Sequence, residues 1–142
     1  MSSFVMTAEE RQAFLSGTHV GVLAVNRDGR GPLAVPVWYD YEPGGEVLIW
    51  MERDTVKDKT IRAAGKFSLV AQDESWPYKY VTAEGPVVAG DEPPTKEQAL
   101  KIAGRYLPAG EAAKYVETAL GETSILVRMR PEKWLSNDQG KS

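Results

Sequence analysis

The chain has 142 residues, a formal net charge of -3 at pH 7, one histidine and no cysteine. Its length suits a single domain with its own core, and the missing cysteine excludes disulfides, thiolate metal sites and a cysteine nucleophile. The acidic balance argues against a nucleic-acid partner, and no apolar run approaches the roughly 18 residues that cross a membrane, so we expect a cytoplasmic protein.

The single histidine limits the chemistry that the side chains alone can perform. His19 cannot build a multi-histidine metal site or a conventional Ser-His-Asp triad by itself, and we interpret it as structural or solvent-facing. We therefore expect no metal site. If the chain is an enzyme, a bound cofactor is expected to carry its chemistry.

The first third of the chain predicts one short helix and two strands. Thr7 and Glu10 have the spacing of a capping box, and the helix that they begin is expected to end at Gly17. Strands are predicted over His19–Val25 and Leu33–Tyr41, which are rich in apolar and β-branched residues. Alternate residues of the second strand point to opposite faces of the sheet.

A hairpin and a basic helix follow. Pro36 cannot donate a ladder hydrogen bond, which predicts an edge, a bulge or a split in the sheet at this residue. A Pro-Gly-Gly turn leads into a returning strand over Glu46–Glu52. Thr55 is then the N-cap of a helix predicted over Val56–Ala64.

The remainder predicts two more helices and three more strands. They are a strand over Phe67–Gln72, a strand over Tyr78–Ala89 with a bend at Gly85, helices over Thr95–Tyr106 and Gly110–Leu120, and a strand over Thr123–Arg130. The fold class is therefore mainly β (α+β), a six-stranded antiparallel split β-barrel with small peripheral helices. Residues 1–135 form one domain, and residues 136–142 are predicted to be a disordered tail.

The helix over Val56–Ala64 is the best candidate for binding an anion. Free N–H groups and the helix dipole attract anions to a helix start, and the surrounding segment carries several lysines and arginines. A solvated helix face with weak ion pairs explains the same residues equally well. Trp38 and Trp50 lie nearby in the sequence; core packing is the default role of such residues, and a wall for an aromatic ring is the alternative.

The ordered segments resemble a known family. The runs GVLAV, PLAVPVWYDY, EVLIWME, TVKDKTIRAAGKFSLVAQDE and YKYVTAEGPV resemble the pyridoxamine-5'-phosphate-oxidase-like split β-barrel family, and look closest to its flavin and deazaflavin oxidoreductase branch. The resemblance covers about Thr7 to Trp134. It implies a homodimer that holds a cofactor in the groove between two barrels.

The resemblance also implies which residues contact the cofactor. The expected contacts come from two strands, a helix start, a loop and a C-terminal aromatic residue. They are Val35, Pro36, Val37, Trp38, Trp50, Met51, Glu52, Lys57, Lys59, Thr60, Arg62, Trp76, Tyr78 and Trp134. Lys57 matches the family lysine that meets the cofactor phosphate. The catalytic group is unknown, and Tyr39, Tyr41 or water are the candidates for returning a proton.

One departure bears on the cofactor. The strand PLAVPVWYDY carries no basic residue, whereas true pyridoxamine-phosphate oxidases hold FMN with arginine and lysine there. This favours coenzyme F420, and hydride transfer between reduced F420 and an unsaturated small organic substrate. The alternatives are an FMN-dependent oxidoreductase of the same fold, a non-catalytic binder of flavin, F420 or haem, and a dimeric structural domain without a ligand.

Overall fold

The computed structural model describes residues 3–141. Its helices and strands, in chain order, are α1 (Ala8–Ser16), β1 (Gly21–Val25), β2 (Leu33–Val37), β3 (Val47–Glu52), α2 (Val56–Ala64), β4 (Lys66–Asp73), β5 (Lys79–Ala89), α3 (Lys96–Tyr106), α4 (Ala109–Ala119), β6 (Ser124–Met129) and β7 (Lys133–Asp138). Within this part of the chain, no helix has the length and apolar character needed to cross a membrane.

The strands form one curled antiparallel sheet. Six of them follow the order β2-β1-β4-β5-β6-β3, and β7 pairs with β5 beside this path. An isolated bridge between Asp40 and Leu48 joins the segment after β2 to β3, so the two edges of the path meet there. The predicted fold class, mainly β with a six-stranded antiparallel split barrel and small helices, is confirmed.

Gly85 is the point at which β5 passes from one half of the sheet to the other. β5 pairs with β7 up to Glu84 and with β4 up to Pro86, and from Val87 onward it pairs with β6. A Cβ on Gly85 would lie 1.8 Å from the carbonyl oxygen of Arg130. The two backbones can approach this closely because Gly85 has no side chain. The strand changes partner just after the predicted bend, with a register shift between Val87 and Ala89.

The prediction of a disordered tail from Ser136 is wrong for residues 136–138. These residues belong to β7, which pairs with β5 from Glu84–Lys133 to Lys79–Asp138. Ser136 is buried and its hydroxyl accepts a hydrogen bond from the backbone N–H of Met6. Pairing with β5 supplies hydrogen-bond partners to the backbone N–H and C=O groups of this polar segment, whose sequence shows no strand pattern. Ser142 lies outside the described residues.

The apolar residues form two separate clusters. The larger one fills the barrel with alternate residues of the strands, such as Val47, Ile49 and Met51 of β3. The smaller one lies between α3 and α4 and is built from small residues, Ala99, Ala103, Ala112 and Val116. Trp38 and Trp50 pack against this second cluster, so they join the α3–α4 pair to the outside of the barrel.

We predict that Gly85→Ala strongly destabilises the protein. The methyl group would overlap the Arg130 carbonyl, and overpacking of this kind costs about 1–3 kcal/mol or more. The matched control is Gly104→Ala on α3, where a Cβ would meet no atom within 4 Å and should stabilise the helix by about 0.5–1 kcal/mol. Urea unfolding measures both, and equal midpoints for the two variants would contradict the assignment of Gly85.

Candidate functional site

A cavity of about 540 Å³ lies where the ends of β2 and β3 meet α2 and the α3–α4 pair. Seven of the residues predicted to contact a cofactor line it: Pro36, Val37, Trp38, Trp50, Met51, Glu52 and Lys57. Residues from three separate elements are thus brought to one place. We call this space the cavity.

The strand pattern explains why Trp50 and Glu52 face the cavity. Along β3 the buried residues alternate with half-buried ones, and both of these residues belong to the half-buried set. Alternate residues of a strand share a face, so this face points away from the barrel interior and toward α3 and α4. The indole of Trp50 therefore forms a wall outside the barrel.

Four aromatic rings pack together beside the cavity, and three of them, Trp38, Trp50 and Tyr115, line it. Trp38 stacks on Tyr106 of α3, with ring centroids 5.0 Å apart and planes 8° apart. Tyr115 of α4 lies near both tryptophans, 5.3 Å from the Trp38 ring and 5.7 Å from the Trp50 ring. The Trp50 pair is edge-to-face, and the buried indole Nε1 has no hydrogen-bond partner among residues 3–141.

Among the described residues, the cavity is lined by one cation that makes no ion pair. Lys57 lines the cavity in the first turn of α2, and no ion pair involves it within residues 3–141. The Thr55 side chain caps α2 by accepting from the backbone N–H of Asp58, which leaves the first two N–H groups of the helix for another acceptor. The start of α2 therefore presents positive charge to the cavity.

Glu52 places a carboxylate in the same cavity. Its Oε1 accepts a hydrogen bond of 2.7 Å from the Thr123 hydroxyl, and its Oε2 accepts one of 3.1 Å from the Ser124 hydroxyl. These contacts hold the side chain against the start of β6. A carboxylate fixed in this way can accept further hydrogen bonds from ligand hydroxyl or N–H groups, and it repels a second anion.

The other basic residues of α2 do not line the cavity. Lys59 and Thr60 line a separate groove with Arg27 and Lys66. The Arg62 guanidinium donates to Asp58 at 2.8 Å and to Asp91 at 2.7 Å. Arg62 is therefore neutralised by two carboxylates on another side of the helix.

Four further predicted contact residues lie elsewhere in the chain. Val35 packs against the barrel core, and Trp134 packs against Tyr41 with ring centroids 6.2 Å apart. Trp76 and Tyr78 lie at the β4–β5 connection, where their side chains are 76% and 43% exposed. Neither of these two rings lines the cavity of its own chain.

The two tyrosines considered as proton donors are buried outside the cavity. The Tyr39 hydroxyl donates to the carbonyl of Leu15 at 2.6 Å, and burial raises the pKa of Tyr39 well above its usual value. Burial also raises the pKa of Tyr41. The tyrosine that does line the cavity is Tyr115.

Sequence reasoning missed five lining residues: Val20, Thr55, Ile102, Tyr115 and Ala119. Thr55 carried a signal, because a capping residue lies beside any anion at its helix start. The lining residues of α3 and α4 had no such signal in the sequence. Tertiary contacts decide which side of this helix pair faces the barrel.

The described geometry joins a split barrel to a cavity with aromatic walls and one cationic end. The family model described as Pyridoxamine 5'-phosphate oxidase matches residues 7–134. The chain therefore belongs to this family. No curated protein matches the chain significantly.

Solved structures share the fold at low identity. One is an F420 reductase, with 21% identity and a TM-score of 0.68, covering 87% of this chain and 94% of the other. A conserved hypothetical protein from Mycobacterium tuberculosis has 20% identity and a TM-score of 0.79, covering 97% and 88%. A FAD-binding protein from Mesorhizobium loti has 20% identity and a TM-score of 0.63, covering 93% and 94%. At these identities the likeness establishes the fold alone.

We predict that Tyr39→Phe lowers the free energy of unfolding by about 1–3 kcal/mol, because the buried Leu15 carbonyl would lose its partner. The control is Tyr78→Phe, which removes an exposed hydroxyl and should change stability by less than about 0.5 kcal/mol. Urea denaturation measures both. If Tyr39→Phe were as stable as the wild type, the buried hydrogen bond would not have the assigned role.

Proposed function

We propose that the cavity binds a flavin-type cofactor, with coenzyme F420 as the first choice, and that the protein is an oxidoreductase acting on an unsaturated small organic substrate. The observation that carries the proposal is the position of Lys57. An unpaired lysine at a helix start lies in a cavity walled by Trp38 and Trp50. Such a cavity suits a planar ring joined to a phosphate.

The charge at the phosphate end of the cavity favours a phosphate diester, as in F420, over a monoester, as in FMN. The phosphate of F420 is a diester with one negative charge, whereas a phosphate monoester such as that of FMN carries about -1.5 to -2 near neutral pH. The cavity offers the full positive charge of one lysine and the start of a helix, which is equivalent to about half a positive charge. The Glu52 carboxylate would oppose any additional negative charge. At the phosphate, one negative charge therefore matches the donors better than two. The carboxylates of the F420 tail would lie outside the cavity, where Lys59 and Lys66 line a neighbouring groove.

The chain's own residues would bind and orient the cofactor. A bound deazaflavin supplies or accepts a hydride at its ring carbon. Lys57 and the first turn of α2 would hold its phosphate, and Glu52 would accept hydrogen bonds from its polyol hydroxyls. The apolar side chains of Val20, Ile102 and Ala119 would exclude water above the ring and leave room for a flat substrate.

The second candidate is an FMN-dependent oxidoreductase of the same family, or a protein that binds such a cofactor without turnover. The FAD-binding structural relative is consistent with it. Haem is a weaker candidate, because His19 is the only histidine in the chain. Its ring stacks on Phe14 and its Nε2 contacts the Phe14 carbonyl at 3.0 Å, away from the cavity lining.

We also propose a homodimer, on the basis of the exposed aromatics. Trp76 and Tyr78 pair edge-to-face at 6.0 Å and remain largely exposed on one chain. The family resemblance assigns them to cofactor contacts, and they do not line the cavity of their own chain. They could fulfil that assignment only at the cavity of a second copy.

We predict that Lys57→Ala weakens F420 binding by roughly tenfold or more, because a charge-assisted hydrogen bond contributes about 1.5–3 kcal/mol. Fluorescence titration of the purified protein measures the affinity. The control is Lys96→Ala, which removes an exposed lysine at the start of α3 and should leave the affinity unchanged.

Two outcomes of this titration would count against the proposal. If Lys57→Ala bound as tightly as the wild type, the phosphate would not lie at α2. If the wild type bound neither F420 nor FMN below about millimolar concentration, the cofactor proposal as a whole would fail.

We predict that the protein sediments at twice the mass of one chain, and that Trp76→Ala shifts this equilibrium toward the monomer. Truncating an aromatic hot-spot residue of an interface costs about 2 kcal/mol or more, roughly a thirtyfold change in affinity. Analytical ultracentrifugation measures it, with Tyr78→Phe as a variant that keeps the ring. A wild type that stays monomeric at all concentrations would contradict the dimer.

A further inference from the structure

The pairing of β1 with β2 stops just before the cavity. The last pair of the ladder is Gly21 with Val37, and Val22 pairs with Pro36 before it. Proline has no N–H, so the Val22–Pro36 pair cannot exchange two hydrogen bonds. Because bonded and non-bonded pairs alternate in an antiparallel ladder, the next bonded pair would be His19 with Tyr39.

The Tyr106 hydroxyl occupies the position of that missing bond. It accepts from the backbone N–H of Tyr39 at 3.2 Å and donates to the carbonyl of His19 at 2.6 Å. The N–H and C=O groups that would bond directly in a continued ladder are therefore bridged by an oxygen atom of a third element. The hydroxyl thus lies between the two chain segments at the place where this pair would form.

The pair between these two positions faces the cavity. Val20 and Trp38 would be the non-bonded pair between Gly21–Val37 and His19–Tyr39, and both line the cavity. The Trp38 indole also stacks on the ring of Tyr106. Tyr106 thus makes two contacts. Its hydroxyl bridges the two backbone segments, and its ring supports the Trp38 indole in the cavity wall.

The neighbouring residue holds α3 in place. Arg105 donates to the carbonyl of Gly17 at 2.6 Å and to that of Ser16 at 3.1 Å, and it pairs with Asp40 at 3.3 Å. These contacts bind the end of α3 to the turn that precedes β1. The position of the Tyr106 hydroxyl is therefore fixed relative to both segments that it bridges.

We propose that Tyr106 is a positioning residue: its hydroxyl is a spacer that holds the segment before β1, at His19, apart from the segment after β2, at Tyr39, and so sets the separation of Val20 and Trp38 in the wall of the cavity. The part of this inference that concerns ligands depends on the proposed cofactor function, whereas the spacer itself does not. A planar ring would be accepted at the width that the hydroxyl sets.

The test is Tyr106→Phe, which removes the oxygen and keeps the ring that stacks on Trp38. Without the spacer, the N–H of Tyr39 can bond directly to the carbonyl of His19, and the ladder extends by one bonded pair. Val20 and Trp38 then become a close pair with Cα atoms about 4.5 Å apart. We expect a strong cross-strand Hα–Hα NOE between them in the variant and none in the wild type. If this NOE were present in both proteins, or absent from both, the spacer role of the Tyr106 hydroxyl would be wrong.

The second readout is ligand affinity, measured by titration with F420 and with FMN. We expect the variant to bind at least tenfold more weakly than the wild type, because the closed ladder narrows the cavity. The matched control is Tyr39→Phe, which also removes one buried hydroxyl but does not touch the cavity, and which should lose stability without losing affinity.

The two readouts separate the possible failures. A wild type that binds neither cofactor removes the proposed function, and the NOE still decides the spacer. A variant that gains the NOE but binds both cofactors as the wild type does would show that the cavity width does not control binding, and that part of the inference would be wrong. An equal loss of affinity in Tyr39→Phe would reduce the role of Tyr106 to general stability.

Discussion

The cavity depends on two tryptophans that pack outside the barrel. Trp38 and Trp50 belong to the small cluster under α3 and α4 and not to the barrel core. Each large ring buries apolar area against the helix pair, and the space left between the rings, α2 and the helices is the cavity. The same contacts that attach α3 and α4 to the sheet therefore also build the walls of the candidate site.

Much of this arrangement could be predicted from short-range patterns. The capping residue Thr55 and the glycine at Gly65 give the limits of α2, and its first turn must present Lys57 near the end of β3. Gly85 marked a bend because a glycine before a proline within a strand pattern rarely pairs normally. These features depend on local geometry, which the residues themselves determine.

The features that could not be predicted all depend on long-range packing. Lys59 and Arg62 lie near Lys57 in the sequence, but a helix turns about 100° per residue, so the three cations point in different directions. β7 is polar and forms a strand only because β5 offers it a free edge. The Tyr106 hydroxyl bridges His19, before β1, and Tyr39, after β2, although 67 residues separate it from Tyr39, and no local pattern indicates such a contact.

The central claim is that one lysine, one helix start and one carboxylate select a singly charged phosphate attached to a planar ring. Side-by-side equilibrium titration of the wild-type protein with F420 and FMN, at one pH and one salt concentration, tests this claim most directly. The account predicts that F420 binds roughly tenfold or more tightly than FMN, because the second phosphate charge of FMN has no partner and meets Glu52. Equal affinities, or tighter binding of FMN, would contradict it.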